Sequence, residues 1–207
     1  MPTFQEIKKH LAKDKTLKKI IAKTDISWDT KAQTDIYFEL LKAITFQQLS
    51  TKAAQTIWNR FLELFSQSYP EAKLLLKMSD EKLRTAGISK QKAGYLKNIA
   101  AFSINKTLEY KSIKKLSDDE LINYLSEIKG VGKWTAEMIL MFSLKRTNVL
   151  PLDDLGIQQA IKKAYNLTYT NKKDMYAKML QTAQNWQPYR SIACLYLWRF
   201  KDDKSTK

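Results

Sequence analysis

The sequence predicts an all-α protein, and three observations carry that reading. Apolar residues recur at intervals of three and four along most of the chain, the spacing of one helical face. Only two valines occur, Val131 and Val149, while Ala, Leu, Lys, Gln and Glu abound, a balance that favours helix over strand. Five glycines and four prolines in 207 residues leave few turn signals, as expected of helices joined by short connections. Apolar residues make up 44% of the chain, enough to build a core, so wholesale disorder is excluded.

The elements follow in order. Residues 4–23 read as one basic amphipathic helix, with Phe4, Ile7, Leu11, Leu17, Ile20 and Ile21 on its apolar face. "TDISWDTKAQ" is a connection. From Thr34 to Phe65 the pattern is helical in two pieces, with Phe38, Leu41 and Ile44 on one stripe and Ala53, Ala54, Ile57, Trp58 and Phe61 on the next. Between them lies "FQQLSTK", where Ser50 is placed to cap the second piece. After Pro70 come a short helix, a stop at Gly87 and a helix from about Ser89. "SDDELINYLSEIKG" opens with Ser117 and Glu120 in the spacing of a capping box, and Leu121, Leu125 and Ile128 line its buried face. A further helix follows Gly132 and carries Ala136, Ile139, Leu140 and Ser143. Pro151 breaks the chain, and Asp153 or Asp154 starts the helix "LGIQQAIKKAY". The last segment, "WQPYRSIACLYLWRF", reads as a turn at Pro188 and a buried helix, and residues 201–207 as a loose tail.

Charge and composition narrow the function. With 36 Lys+Arg against 21 Asp+Glu the net charge is +15, which costs self-repulsion unless a polyanion offsets it. Nucleic acid is the leading partner and anionic membrane the second. A single cysteine, Cys194, excludes an internal disulfide and a four-cysteine zinc or iron–sulfur site. A single histidine, His10, argues against a histidine metal site or a Ser-His-Asp triad and reads as a surface residue. "MPTFQEIKKH" has no apolar signal-peptide core, and "MILMF" is too short to cross a bilayer, so the expectation is a soluble cytoplasmic protein.

The stretch "IKGVGKWTAEMIL", residues 128–140, places two of the scarce glycines between two helices. Glycine tolerates positive φ and lets another backbone come close. A helix beginning after Gly132 presents unpaired N–H groups with partial positive charge, a phosphate-binding end, and Lys129 and Lys133 flank it. Val131 can turn inward and pin the hairpin. Such a contact positions the protein on a nucleic-acid backbone without reading sequence. The plain alternative is a C-cap glycine followed by another helix.

This stretch resembles the helix-hairpin-helix of the DNA glycosylase superfamily that includes endonuclease III, and "GVGKWTAEMIL" is most similar to the 3-methyladenine DNA glycosylase II branch. "AITFQQLSTKAAQTIWNRF", "GISKQKAGYLKNIA", "LPLDDLGIQQAI" and "WQPYRSIACLYLW" resemble further segments of that branch, so the likeness runs in order from about residue 34 to 200. It implies two helical lobes with an active-site cleft between them. One is contiguous over 34–143 with the hairpin at 119–142, and the other is built from 1–30 plus 145–200. The chain resembles the compact members, which lack the N-terminal β-rich domain of larger ones.

Carried over residue by residue, the resemblance makes Asp154 the catalytic aspartate, because it immediately precedes the "LGIQ" helix start. It puts Trp134, Met138 and Leu155 in the base pocket, although some members have aromatics at the last two positions. It assigns Gly130, Val131, Gly132, Lys133 and Thr135 to the DNA backbone. Bifunctional relatives place a Schiff-base lysine where this chain has Trp134, and Lys133 lies about 100° away around the helix. A monofunctional enzyme without a lyase step is therefore expected. No cofactor is expected for catalysis and no metal ligands are assigned; a monovalent cation at the hairpin is left open. The expected partner is double-stranded DNA containing alkylated bases, bound by a monomer with no membrane association. In "FQQLS", Gln48 and Leu49 are candidates to fill the space left by an extruded base, against the alternative that Leu49 is core and Gln48 an ordinary loop residue. Tyr189 and Arg190 are candidates to approach the site.

The implied chemistry is hydrolysis of the N-glycosidic bond of alkylated purines, 3-methyladenine first, in base excision repair. A base inside a duplex must be flipped out to be reached. An N-alkylated purine is already cationic and leaves readily, so the enzyme needs an anion near the sugar as oxocarbenium character grows, and a water. The competing reading is a non-catalytic helix-hairpin-helix module that only binds DNA; it needs the hairpin but not Asp154.

Overall fold

The structure, a computed structural model, describes residues 2–202. Residues up to Lys31 together with those from Lys145 onward form one compact unit, and Ala32–Leu144 form the other. Among the described residues there is no strand; one isolated antiparallel bridge pairs Asp35 with Glu109. The all-α expectation is borne out.

The first segment departs from the single helix expected over 4–23. It forms α1, Phe4–Leu11, and α2, Lys15–Lys23. The break falls at Asp14, whose carboxylate accepts from the Thr16 and Leu17 N–H groups at 2.8 and 3.0 Å and so starts a new helix. Periodicity alone missed this because Leu11 and Leu17 both reach the core, leaving the apolar rhythm nearly continuous across the break. His10 is not a plain surface residue. Its ring meets Tyr189 edge-on at 5.1 Å, and its Nε2 is buried.

The contiguous unit is built around α3, Ile36–Phe46, which buries Ile36, Tyr37, Leu40, Leu41, Ile44 and Thr45. A helix apolar on most sides belongs at the centre of its unit. Around it lie α4 (Thr51–Glu63), α5 (Ala72–Lys77), α6 (Asp80–Thr85), α7 (Lys90–Asn105), α8 (Tyr110–Ile113), α9 (Asp118–Ser126) and α10 (Lys133–Met138). Both α4 and α7 pack on α3, and α7 also covers α5 and α6. The caps are those the sequence signals: Ser50 for α4, Ser89 for α7, and a full Ser117/Glu120 capping box for α9. Ala53, expected on the apolar stripe of α4, is exposed, whereas Ala54, Trp58 and Phe61 are buried. Beyond Met138 the helix widens into a π turn, Ile139–Ser143, that packs on α3.

The chain then returns to the first unit through α11 (Leu155–Tyr165), α12 (Lys172–Thr182), a 3₁₀ turn at Ala183–Trp186 and α13 (Arg190–Asp202). Helix α13 buries Ser191, Ile192, Ala193, Cys194, Tyr196 and Leu197 and packs against α11 and α2. Of the expected loose tail, Lys201 and Asp202 are the last residues of α13, and residues 203–207 lie outside the described residues. The Gln187–Pro188 peptide is cis.

Asp14 ties this unit together. Besides capping α2, it accepts at Oδ2 from the Tyr165 hydroxyl of α11 at 2.8 Å and from the Trp186 indole at 3.2 Å. Burial and the neighbouring Asp14 charge both push the Tyr165 hydroxyl pKa far up, so it stays a donor. Asp14→Ala removes the cap and strands two donors, so unfolding in urea should show a loss of about 2 to 4 kcal/mol.

Candidate functional site

The turn from α9 to α10 shows two glycines with different jobs. Gly130 has φ +108, and a side chain there would fall inside the van der Waals surface of the Tyr95 ring. It must be glycine for the protein's own sake. Gly132 has φ −90 and is the N-cap of α10, and a Cβ on it would meet nothing within 4 Å. Among the described residues nothing needs that position bare. Val131 between them is buried at 3% exposure, and its N–H donates to the Ile128 carbonyl at 2.9 Å. Among the described residues no side chain caps the α10 N-terminus. Lys129 and Lys133 are exposed beside them, with Lys133 3.9 Å from the buried Glu137 carboxylate.

Thr135, expected at the DNA backbone, has its side chain buried at 3% exposure, and its hydroxyl accepts from Gln47 Nε2 at 3.0 Å. Only its backbone amide could serve an anion. Trp134, one residue earlier, is 38% exposed, and Met138, one turn on, is half-buried.

The loop after α3 is held open. Gln48 adopts a left-handed conformation with φ 57 and is exposed, and Leu49 is 40% exposed. Leu49 is therefore not core, which removes the plain alternative for that residue. Lys92 donates to the Thr45 and Gln47 carbonyls at 2.8 and 2.9 Å.

In the other unit, Asp154 is itself the N-cap of α11. Its Oδ1 accepts from the Ile157 N–H at 2.8 Å. Asp153, the alternative cap, instead takes Lys172 at 3.2 Å and the Tyr176 hydroxyl. Asp154 is 9% exposed, and the same Oδ1 accepts from the Trp198 indole of α13 at 2.9 Å. Gly156 makes this arrangement fit: a Cβ there would lie 3.0 Å from Asp154 Oδ1 and from Trp198 Cδ1 and Nε1. Two donors on one oxygen restrict how the carboxylate can turn. Leu155 is 65% exposed beside it. Arg190 does not join this group; its Nε donates to the Asn148 carbonyl and Oδ1 at 3.2 and 2.8 Å. Tyr189 packs on His10.

Sequence reasoning missed Trp198, Gly156 and Lys92. Gly156 did leave a signal, since a glycine in the first turn of a helix costs stability unless something approaches closely. Trp198 and Lys92 left none, because each finds its partner through tertiary packing. Among the described residues, no group of three or more His, Cys, Asp or Glu side chains could hold a metal ion, and no helix is long and apolar enough to cross a membrane.

Residues 41–186 match the family described as HhH-GPD superfamily base excision DNA repair protein. This chain belongs to the HhH-GPD superfamily. Its similarity to DNA-3-methyladenine glycosylase 1 of Schizosaccharomyces pombe is 38% identity over 165 residues, 79% of this chain and 71% of that protein. The DNA-3-methyladenine glycosylase of Saccharomyces cerevisiae is 30% identical over 199 residues, 80% of this chain and 66% of that protein. Among solved structures, the S. pombe 3-methyladenine DNA glycosylase in complex with abasic DNA superposes with a TM-score of 0.82 at 32% identity, over 96% of this chain and 98% of that one. The DNA-3-methyladenine glycosidase of Bacillus halodurans gives 0.80 at 33% identity, over 98% and 91%. The resemblance drawn from the five sequence blocks is borne out.

The two hairpin glycines should separate in a stability assay. Gly130→Ala combines a positive φ with a clash against Tyr95 and should lower unfolding free energy by about 1 to 3 kcal/mol. Gly132→Ala should leave it within about 0.5 kcal/mol of the parent. Thermal or chemical denaturation of the two variants checks both.

Proposed function

We propose that this protein is a monofunctional DNA glycosylase that hydrolyses the N-glycosidic bond of alkylated purines, with 3-methyladenine the principal substrate, in double-stranded DNA. The observation that carries the reading is the Asp154 carboxylate, buried at a helix start and held by the Ile157 amide and the Trp198 indole. A module that only binds DNA has no use for such a group. The names of the relatives support the substrate class.

Each part has a physical role. The α10 amides, with the bare Gly132 and the lysines beside it, take a backbone phosphate. Gln48 and Leu49 fill the gap left by the extruded nucleotide, with an amide for the orphaned base and an apolar side chain for the stack. Trp134 offers its ring face to the base, with half-buried Met138 one turn on, and in the other unit Leu155 is exposed beside Asp154. A cationic base on a tryptophan face gains about 1 to 2 kcal/mol when desolvated. The alkylated purine leaves without strong acid catalysis. Asp154 stabilises the positive charge that grows on the sugar and orients the water that attacks C1′.

No amine acts as a nucleophile, because Trp134 stands where bifunctional relatives carry lysine. The product is an intact strand with an abasic site. A monovalent cation at the hairpin fits this reading: the Ile128 and Lys129 carbonyls each accept one hydrogen bond and retain a second lone pair. No step depends on it. The enzyme works as a monomer inside the cell.

Incubated with methylated duplex DNA, the protein should release free 3-methyladenine and leave abasic sites without strand cleavage. Asp154→Asn should lower single-turnover release by about 100-fold or more while affinity for an abasic-analogue duplex stays within about threefold, the loss being one of charge in the transition state. Parent-rate release by that variant would overturn the mechanism. Gly132→Ala, folded normally, should weaken binding to any duplex, and Lys133→Ala should reduce the salt dependence of binding by about one phosphate contact.

A further inference from the structure

Helix α7 presents three polar residues at intervals of three, Lys92, Tyr95 and Asn98, which places them on one face over about two turns. Each contacts part of the proposed DNA-binding surface. Lys92 Nζ donates to the carbonyls of Thr45 and Gln47 at the end of α3, at 2.8 and 2.9 Å. The Tyr95 ring lies against Gly130, and its hydroxyl accepts from Gln91 at 2.8 Å. Asn98 Nδ2 donates to the Lys129 carbonyl at 3.0 Å. One helix face thus holds both the loop before α4 and the α9–α10 hairpin. Residues of both line an open cavity of about 420 Å³, among them Gln48, Leu49, Lys92, Tyr95 and Gly130.

The placing of Lys92 has a cost that its partners must offset. Its ammonium is partly buried, and loss of hydration pulls its pKa below the ordinary lysine value. Two charge-assisted bonds to carbonyls at a helix C-terminus, where the dipole is negative, compensate. The loop they brace has few other ties: Gln47 Nε2 reaches Thr135, while Gln48 and Leu49 point away from the core with Gln48 in a left-handed conformation. A tip of this kind, left to itself, samples many conformations and must be ordered at the moment of insertion.

We propose that Lys92 is a positioning residue for base flipping, holding the Gln48–Leu49 tip preformed and in fixed register with the phosphate-binding hairpin through their common support on α7. This rests on the reading of Gln48 and Leu49 as the inserting residues. Lys92 touches neither the base nor the sugar. It acts by removing the ordering entropy from the insertion step, so its effect falls on flipping and not on the first encounter with DNA.

The test uses the full chain and a duplex with 2-aminopurine stacked beside an abasic-site analogue, whose fluorescence rises when a side chain intrudes. With Lys92→Met, the fluorescence rise and single-turnover release of 3-methyladenine should both slow by about tenfold, while affinity for undamaged duplex stays within about twofold. Lys92→Arg, which keeps the charge and donors, should recover most of the rate. Should Lys92→Met fail to fold, Gln47→Ala, which cuts the loop's tie to Thr135, carries the same expectation. Insertion by Lys92→Met at the parent rate would overturn the proposal, as would a parallel loss of affinity for undamaged DNA. Leu49→Ala distinguishes the role of Lys92 from the identity of the inserting residues. If it abolishes the rise while Lys92→Met does not, only the role of Lys92 falls. If Leu49→Ala and Gln48→Ala both leave the parent signal intact, the assignment of the inserting residues falls with it.

Discussion

The carboxylate of Asp154 is constrained by two demands that must be met by one oxygen. As the N-cap of α11 its Oδ1 satisfies the Ile157 amide, and the same atom accepts the Trp198 indole from α13. A cap alone would fix the side chain only in part. The second donor locks the carboxylate plane, and it exists only because α13 is packed against α11 and because Gly156 has no side chain to intervene. The chemistry proposed for this protein requires an anion with little freedom and little water around it, because electrostatic stabilisation is strongest where dipoles are already oriented. The packing of α11, α13 and α2, with Asp14 bonded to Tyr165 and Trp186, is the scaffold that supplies this rigidity.

In the contiguous unit the constraint is of a different kind. The hairpin buries Ile128 and Val131, while the loop before α4 leaves Leu49 exposed, and ties to a rigid helix help to set the shapes of both. Helix α7 provides these through the hydrogen bonds of Lys92 and Asn98 and the ring contact of Tyr95. Its other face packs on α3 and α5 by ordinary burial of Ala93, Leu96, Ile99 and Ala100. The helix therefore serves stability on one side and placement on the other. The contrast between Gly130 and Gly132 follows the same division: the first is bare because Tyr95 fills its space, the second although nothing in the chain does.

Much of the fold was legible in the residues. Ser50, Ser89 and Ser117 cap the helices they precede, because a cap is a local interaction between residues three apart. The break at Asp14 was not legible. The same cap chemistry was present there, but leucines on both sides kept the apolar rhythm and concealed the turn. His10 was misread for a similar reason, since its neighbours in sequence are basic and exposed while its ring partner, Tyr189, is far along the chain.

The sequence by itself determined the helical class, the hairpin, the family and the aspartate at a helix start, because each is written in residues a few positions apart. Only the tertiary structure decided which aspartate caps α11, that Thr135 turns inward to Gln47, that Trp198 and Gly156 lie against Asp154, and that Lys92 bonds to the Gln47 carbonyl. The reason is separation along the chain. Trp198 lies 44 residues from Asp154, and Lys92 lies 45 from Gln47, so no local periodicity can register either contact.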